Sequence, residues 1–238
     1  MADGFHKETS AQIKVYRREV KYLMPLAAFT GFQKQLEGVL ARDGFSKEDG
    51  SYPVRSLYLD TPFEEDFYGV HHEMENRKKL RLRLYSPYDR TVKLERKSKT
   101  GMDQIKTSFK LTREEAEQLT GGNAGFLLAR KEQAARDIYM EFVLGVYRPR
   151  VMIEYSRVAY TAPSNHIRVT YDSDIRCTRA NFNLFDDQVS WMPLLEKSYG
   201  VLEVKYDGFL FSYIRDALHG IDALPQAFGK YALACRMT

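Results

Sequence analysis

One stretch of the chain concentrates cationic side chains at regular spacing, KKLRLRLYSPYDRTVKLERKSK at residues 78–99. Its side chains alternate as those of a β-strand do, since successive residues of a strand point to opposite faces of a sheet. Before the SPYDR turn, one face carries Lys79, Arg81 and Arg83, and the other face carries leucines. After the turn, the alternation resumes with Lys93, Glu95, Lys97 and Lys99. Like charges on neighbouring strands repel one another, so the alignment of these cations calls for an explanation.

The elements that would position these residues are mostly strands. Period-two segments predict eight strands, at 13–22, 54–60, 78–86, 91–98, 104–110, 150–160, 166–174 and 201–207. The turn-forming stretches SPYDR and TAPSN join two pairs of them into antiparallel hairpins. Helical patterns fill the gaps, at 25–40, 112–120, 124–147, 209–220 and 225–237. The chain has no Gly/Ser/Pro-rich linker and no internal repeat, so we expect one domain over 12–238 after a mobile tail over 1–11.

Composition narrows the protein class. The chain has 238 residues, of which 44% are hydrophobic and 29% charged, and its formal net charge is +4. These values are typical of a globular protein with a sizeable core. Two cysteines without metal-ligand spacing favour a reduced, cytoplasmic setting. No secretory signal and no apolar run of bilayer-spanning length is present, so the sequence predicts no membrane segment.

Many antiparallel strands with few connecting helices predict an α+β fold, an eight-stranded antiparallel β-barrel with helices packed on the outside. Closing a sheet in this way gives each strand an inside and an outside. Any one of these strands taken alone fits an apolar interior and a charged exterior. The helical segments also carry apolar stripes, however, and those stripes must pack on something. If the helices cover the apolar strand faces, the charged faces point into the barrel.

The charged strand faces together define the candidate ligand-binding residues. They are Arg17, Glu19, Lys21, Arg81, Arg83, Lys93, Glu95, Lys97, Lys106, Arg157, Arg168, Thr170, Asp172, Glu203 and Lys205. A dry interior with so many cations would be prohibitively unfavourable. A wet, open-ended interior suits a chain of phosphates and the metal ions that accompany it. The charge pattern therefore predicts a bound polyphosphate group.

The order of several short motifs resembles that of VTC domains. These motifs are RREVKY, SLYLDT, KLRLRLY, KLERK, RVTYD, LEVKY and FGKY, and they extend over about residues 13–235. VTC domains are the polyphosphate-polymerase domains of the triphosphate tunnel metalloenzyme superfamily, whose other main branch is CYTH. The resemblance implies an eight-stranded tunnel that moves the terminal phosphate of ATP onto a polyphosphate chain with Mn²⁺ or Mg²⁺ as cofactor.

The resemblance also implies roles for individual residues. Those matched to phosphoryl transfer are Lys21, Arg81, Arg83, Lys97, Arg157, Glu203 and Lys205, with Glu203 of LEVKY as the metal ligand. Lys106 and Lys230 are matched as further substrate contacts. Two positions depart from the family pattern, because Ala227 replaces a lysine and Gly229 a serine. In addition, Arg17 stands where the acidic strand of CYTH triphosphatases has its first glutamate.

The residues themselves leave several roles open. Glu19 and Glu95 either assist the metal or balance neighbouring charge. Lys93 and Arg168 either contact the substrate or are solvated. Asp172, near a predicted strand end, has the character of a turn residue. Asp60 and Thr61 are interpreted as a helix cap rather than as site residues.

Three further functions compete with the polymerase. A triphosphatase of the same superfamily would release phosphate to water. A non-catalytic module would bind polyphosphate or an inositol phosphate. Nucleic-acid binding is disfavoured, since the aromatic residues lie mainly on apolar faces and no nucleic-acid motif is present. A membrane-bound partner and the oligomeric state are left open.

Overall fold

A computed structural model of the chain describes residues 17–46, 50–219, 225–226 and 228–237. Ten strands are present there: β1 Arg17–Pro25, β2 Ala41–Arg42, β3 Ser51–Asp60, β4 Asn76–Leu84, β5 Thr91–Thr100, β6 Asp103–Thr112, β7 Arg148–Ala162, β8 Ile167–Thr178, β9 Met192–Pro193 and β10 Tyr199–Asp207. Six α-helices accompany them: α1 Leu26–Glu37, α2 Glu65–His71, α3 Arg113–Thr120, α4 Gln133–Leu144, α5 Ser212–His219 and α6 Lys230–Arg236. The predicted tail over 1–11 and the departure at Ala227 lie outside the described residues.

The strands form one antiparallel sheet in the order β1-β10-β8-β7-β3-β4-β5-β6. These are the eight predicted strands, and both predicted hairpins, β4–β5 and β7–β8, are confirmed. Two further strands of two residues each lie outside this order: β2 pairs with β7, and β9 pairs with β8. Within the described residues no pairing joins β1 to β6, so the sheet curls into a tunnel without closing its hydrogen-bonded ring.

The apolar strand faces are covered by helices, as the α+β prediction requires. On β4 and β5, Leu80, Leu82 and Leu94 are buried in a cluster that includes Leu119 of α3 and Phe142 of α4. Burying such side chains stabilises the fold by about 1.5–3 kcal/mol each. The leucine faces are therefore on the outside of the tunnel wall, under the helices.

The other half of the sheet is covered in the same way. Val169 of β8 and Leu202 of β10 are buried against Phe29 and Phe32 of α1 and Ile214 of α5. Helices thus cover the apolar strand faces in both halves of the sheet. The charged faces of the same strands therefore point into the tunnel. Among the described residues no helix is both long and apolar enough to cross a bilayer.

The helix predicted at 124–147 is interrupted. A 3₁₀ turn at Gly125–Ala129 precedes α4, which begins only at Gln133. Arg130 lies between them with extended backbone, and its guanidinium donates to the carbonyl of Lys110 at 2.9 Å and pairs with Glu115 at 3.2 Å. The break in the helix thus coincides with contacts of Arg130 to β6 and α3, which a local pattern cannot show.

Helix α6 packs against the tunnel wall itself. Its Tyr231 ring stacks on Tyr58 of β3, with centroids 4.7 Å apart, and shares a buried cluster with Ile153 and Tyr155 of β7. The Tyr231 hydroxyl donates to Asp60. The carboxylate of Asp60 also accepts from the backbone N–H groups of Asp66 and Phe67 at the start of α2, which agrees with its interpretation as a cap.

Candidate functional site

The strand register places the charged positions on one face. Lys21 of β1 is directly opposite Glu203 of β10, and Glu19 is opposite Lys205. On the other side of the tunnel, Arg81 of β4 is opposite Glu95 of β5. Directly opposed residues of an antiparallel pair point to the same face, so all of them line the interior.

The first interior cluster, called here the Glu203 cluster, contains two carboxylates and two ammonium groups. Lys21 Nζ lies 2.8 Å from Glu19 and 3.7 Å from Glu203. Lys205 pairs with Glu203 and lies 3.6 Å from Glu19. Burial raises the pKa of Glu203, but the charges of Lys205 and Lys21 lower it by more. The net result is a pKa well below the usual range of a glutamate. Glu203 is therefore an anion held by lysines.

A second cluster surrounds Asp172, which is fully buried. Arg157 donates to it from two nitrogens, at 2.7 and 2.8 Å, in the bidentate arrangement that guanidinium favours. Lys230 of α6 reaches the same carboxylate at 2.6 Å. Burial raises the pKa of Asp172, and the two cations lower it by more, so the group stays charged. Asp172 is thus a buried charge partner within β8 and no turn residue, because the strand continues past it to Thr178.

The third cluster centres on Glu95. Arg81 donates to it at 2.8 Å, Lys106 Nζ lies 2.7 Å away, and Arg83 lies 3.5 Å away. Burial raises the pKa of Glu95, and the charges of Arg81 and Arg83 lower it to well below its usual range. Three cations hold this one carboxylate in place, which favours a charge-balancing role.

Two interior lysines lie outside these ion pairs. No carboxylate in the described part of the chain is within ion-pair distance of Lys79 or Lys97. Burial and the charges of Arg81 and Lys205 lower the pKa of Lys97 to about 8, although Glu19 and Glu203 act against them. Because Lys97 is on β5 and Lys205 on β10, this interaction crosses the tunnel. The interior therefore carries surplus positive charge where its two walls face each other.

Tyr58 and Lys79 belong to the site although sequence reasoning did not select them. The Tyr58 hydroxyl accepts from Arg81 at 3.0 Å. Burial raises its pKa, but Arg81, Arg83 and Lys79 bring it down to about 8. The sequence pattern could have indicated Lys79, which continues the alternation of Arg81 and Arg83. Tyr58 follows only from the strand register, which places it directly opposite Arg81.

Lys93 and Arg168 lie at one end of the tunnel. Arg168 is paired with Asp43, at 2.5 Å, and donates to the Tyr52 hydroxyl at 3.2 Å. Lys93 Nζ lies 5.1 Å from the centroid of the Tyr85 ring. Neither residue joins the three clusters around the carboxylates, so both stay candidates for substrate contact at this end.

The carboxylates can be tested against the metal that the family resemblance implies. In the described ranges, no group of three or more His, Cys, Asp or Glu side chains is placed to hold an ion. Mg²⁺ is commonly bound through one or two carboxylates, with phosphate and water completing the octahedron. Glu203 and Glu19, on adjacent strands and joined through Lys21 and Lys205, fit that smaller requirement.

Comparisons with known proteins support the family and the fold of the chain. The model of the VTC domain family matches residues 16–238. The bh2851 protein of Bacillus halodurans, described as a candidate adenylate cyclase, is 12% identical with a TM-score of 0.50, and the match covers 88% of this chain and 87% of that one. HpAC1 from Hippeastrum is described as a candidate adenylyl cyclase with a dominant triphosphatase activity. It is 13% identical with a TM-score of 0.53, and the match covers 92% of this chain and 94% of that one. At such identities these two structures share the fold alone. No curated protein matches the chain in sequence.

Proposed function

Since this chain belongs to the VTC domain family, we propose that it transfers the terminal phosphate of ATP onto a polyphosphate chain inside the tunnel. The observation that carries the proposal is the pair of interior lysines, half-buried Lys79 and more exposed Lys97, for which the described carboxylates provide no ion pair. Their ammonium groups and the neighbouring Arg81 and Lys205 repel one another unless an anion lies between them. A phosphate chain in the tunnel would supply the missing anions.

The arginines are suited to orient the transferred group. Arg81 and Arg83 lie on one wall, and Arg157 lies in the second cluster near Lys230. Their planar guanidinium groups bind phosphate oxygens in a bidentate manner, whereas lysines act as point charges. Phosphoryl transfer needs such positioning and charge neutralisation more than covalent help from the protein. Bound phosphates would take over part of the hydrogen bonds that the carboxylates now accept.

Glu203 and Glu19 would hold a divalent cation, Mn²⁺ or Mg²⁺, at the Glu203 cluster. When bound, such an ion supplies neutralisation of the charge on triphosphate oxygens. Lys21 and Lys205 now occupy these carboxylates, so they would turn toward the substrate when the cation is present. Glu95, held by three cations, is the weaker metal candidate.

A triphosphatase is the second candidate, and the position of α6 favours it. This helix packs on the inner wall at Tyr58, Ile153 and Tyr155, where a long polymer would otherwise continue. A tunnel covered at that end suits a short triphosphate with water as the acceptor.

The deciding experiment is incubation of the pure protein with ATP and Mn²⁺. Polymer length is followed on gels, and free phosphate is followed in the same samples by phosphate assay. Polyphosphate formation supports the polymerase, and free phosphate without polymer supports the triphosphatase. If neither product appears and polyphosphate still binds, the protein is a binding module and the enzyme proposal fails.

Arg83→Ala is expected to weaken polyphosphate binding by at least about tenfold, because a hydrogen bond to a charged group contributes about 1.5–3 kcal/mol. Calorimetric titration at low salt, without divalent metal, measures the effect. The control is Arg136→Ala, which removes the same charge from an exposed position on α4. Equal affinities of the Arg83→Ala variant and the unchanged protein would remove Arg83 from the site.

Polyphosphate affinity is expected to fall as pH rises from about 7 to 9. The ammonium of Lys97, with a pKa of about 8, is charged below that pH and neutral above it. Tyr58, also with a pKa of about 8, becomes an anion over the same interval and adds repulsion. Long chains are the correct probe, because their internal phosphates do not titrate in this range. A Lys97→Arg, Tyr58→Phe double variant should bind with a flatter pH profile, and an unchanged profile would contradict the prediction.

A further inference from the structure

Three aromatic side chains gather at one end of the tunnel, and one of them is largely exposed. Phe45, in the loop after β2, has 62% of its surface exposed. Its ring is nearly parallel to that of Tyr85, with centroids 5.7 Å apart and planes inclined by 10°. The ring of Tyr52 approaches Tyr85 edge-on at 5.9 Å. We refer to Phe45, Tyr52 and Tyr85 as the aromatic rim.

The aromatic rim lies near the start of β3, away from the point where Tyr231 of α6 stacks on the wall. Tyr52 is the second residue of β3 and is directly opposite Arg157 in the register. Helix α6 stacks instead on Tyr58, close to the other end of β3. Tyr85 follows the last residue of β4, two positions after Arg83. The aromatic rim is thus continuous with the cationic wall.

Cations connect the aromatic rim to the phosphate-binding interior. Lys93 Nζ lies 5.1 Å from the Tyr85 ring centroid and 5.9 Å from that of Phe45. Arg168 donates to the Tyr52 hydroxyl. Lys93 is directly opposite Arg83 on β4, so the row of positive charge begins beside the rings and runs inward. A ligand that matches this order has an aromatic group at one end and a polyanion at the other.

We propose that Phe45 and Tyr85 form a stacking platform for the base of a nucleoside triphosphate whose phosphates extend inward past Lys93 to Arg83. This inference rests on the proposed function and specifies its donor substrate as a nucleotide bound base-outward. Stacking accepts any base, because every base has a π-face. ATP and GTP are therefore expected to bind with similar affinity, and inorganic tripolyphosphate more weakly than either.

The test compares two ligands on the same protein, ATP and inorganic tripolyphosphate, by calorimetric titration without metal. Phe45→Ala should weaken ATP binding by about tenfold, the size typical of one stacked base, and leave tripolyphosphate binding unchanged. Phe45→Trp should restore ATP binding, since it returns a π-surface of at least equal size. The matched control is Phe63→Ala, at another highly exposed phenylalanine, 80% accessible and just before α2. It should alter neither affinity.

Each other outcome overturns the inference in a distinguishable way. An equal loss for both ligands would mean that Phe45 supports the wall and contacts no base. Unchanged ATP affinity in Phe45→Ala, with tripolyphosphate still bound by the parent protein, would remove the platform but leave the phosphate-binding tunnel intact. Failure of the parent protein to bind tripolyphosphate at all would overturn the platform and the proposed function together.

Discussion

Glu203→Gln is expected to lower turnover with ATP and Mn²⁺ by at least about a hundredfold, since metal ions contribute several kcal/mol of charge stabilisation in such reactions. Glutamine keeps the size of the side chain and most of its hydrogen bonding, but it removes the charge and with it most of the metal affinity. Glu203 is buried between Lys21 and Lys205 and stays ionised, so it is the carboxylate best placed to exchange a lysine for a metal ion. Initial rates across a Mn²⁺ titration measure the effect.

A second measurement separates the metal role from simple damage to the site. Without metal, the Glu203→Gln protein should bind polyphosphate as tightly as the parent or more tightly, because a repulsive charge has been removed. Glu196→Gln, the same change at an exposed position, should leave both rate and binding unaltered. An active Glu203→Gln enzyme with ordinary Mn²⁺ dependence would move the metal to Glu19 or Glu95.

Asp172→Ala is expected to lower the free energy of unfolding by about 3–5 kcal/mol, the usual result of removing one partner of a buried ion pair. Asp172 is fully buried, and its loss would leave Arg157 and Lys230 without their carboxylate. Denaturant unfolding at neutral pH measures the change. The lowered pKa of Asp172 gives the sign of the pH effect, since the stability that it contributes is present above its unfolded pKa and is lost as pH falls through the folded value.

Polyphosphate offers a specific check on this assignment. The two cations released by Asp172→Ala would bind the ligand instead, so added polyphosphate should raise the Tm of the variant by more than that of the parent protein. Asp216→Ala is the control, because its ion pair with Arg215 is exposed and such surface pairs contribute roughly 0–1 kcal/mol. A small loss of stability in Asp172→Ala, with no additional gain from polyphosphate, would contradict the buried-charge assignment.

The direction of the charged faces was predictable from the sequence, whereas the pairing of individual charges was not. The alternation of Leu80 and Leu82 with Arg81 and Arg83, together with helices that need an apolar surface, was enough to place the arginines inside. That Lys97 stays outside the ion pairs follows instead from contacts between strands distant in the chain. Such contacts depend on register and curvature, which local patterns do not specify.

Asp172 illustrates the same limit for a single residue. Near the end of a predicted strand, an aspartate is typical of a turn. In the structure, β8 extends to Thr178, and Asp172 lies within it, directly opposite Arg157 of β7. The break before α4 has a similar origin, because Arg130 is held by groups on other elements.

The pairing of β1 with β10 has a consequence for how the chain folds. Of the strands in the described ranges, β10 is the one that β1 pairs with. This pairing places Lys21 directly opposite Glu203, although most of the chain separates the two residues in sequence. Contacts of such long sequence separation are slow to form, since the loop-closure entropy is lost before the contact stabilises the chain. During synthesis, β1 leaves the ribosome before β10 and stays without this partner until β10 follows. The same pairing assembles the Glu203 cluster, so an unfinished chain lacks this cluster and carries an open strand edge that can pair with other chains.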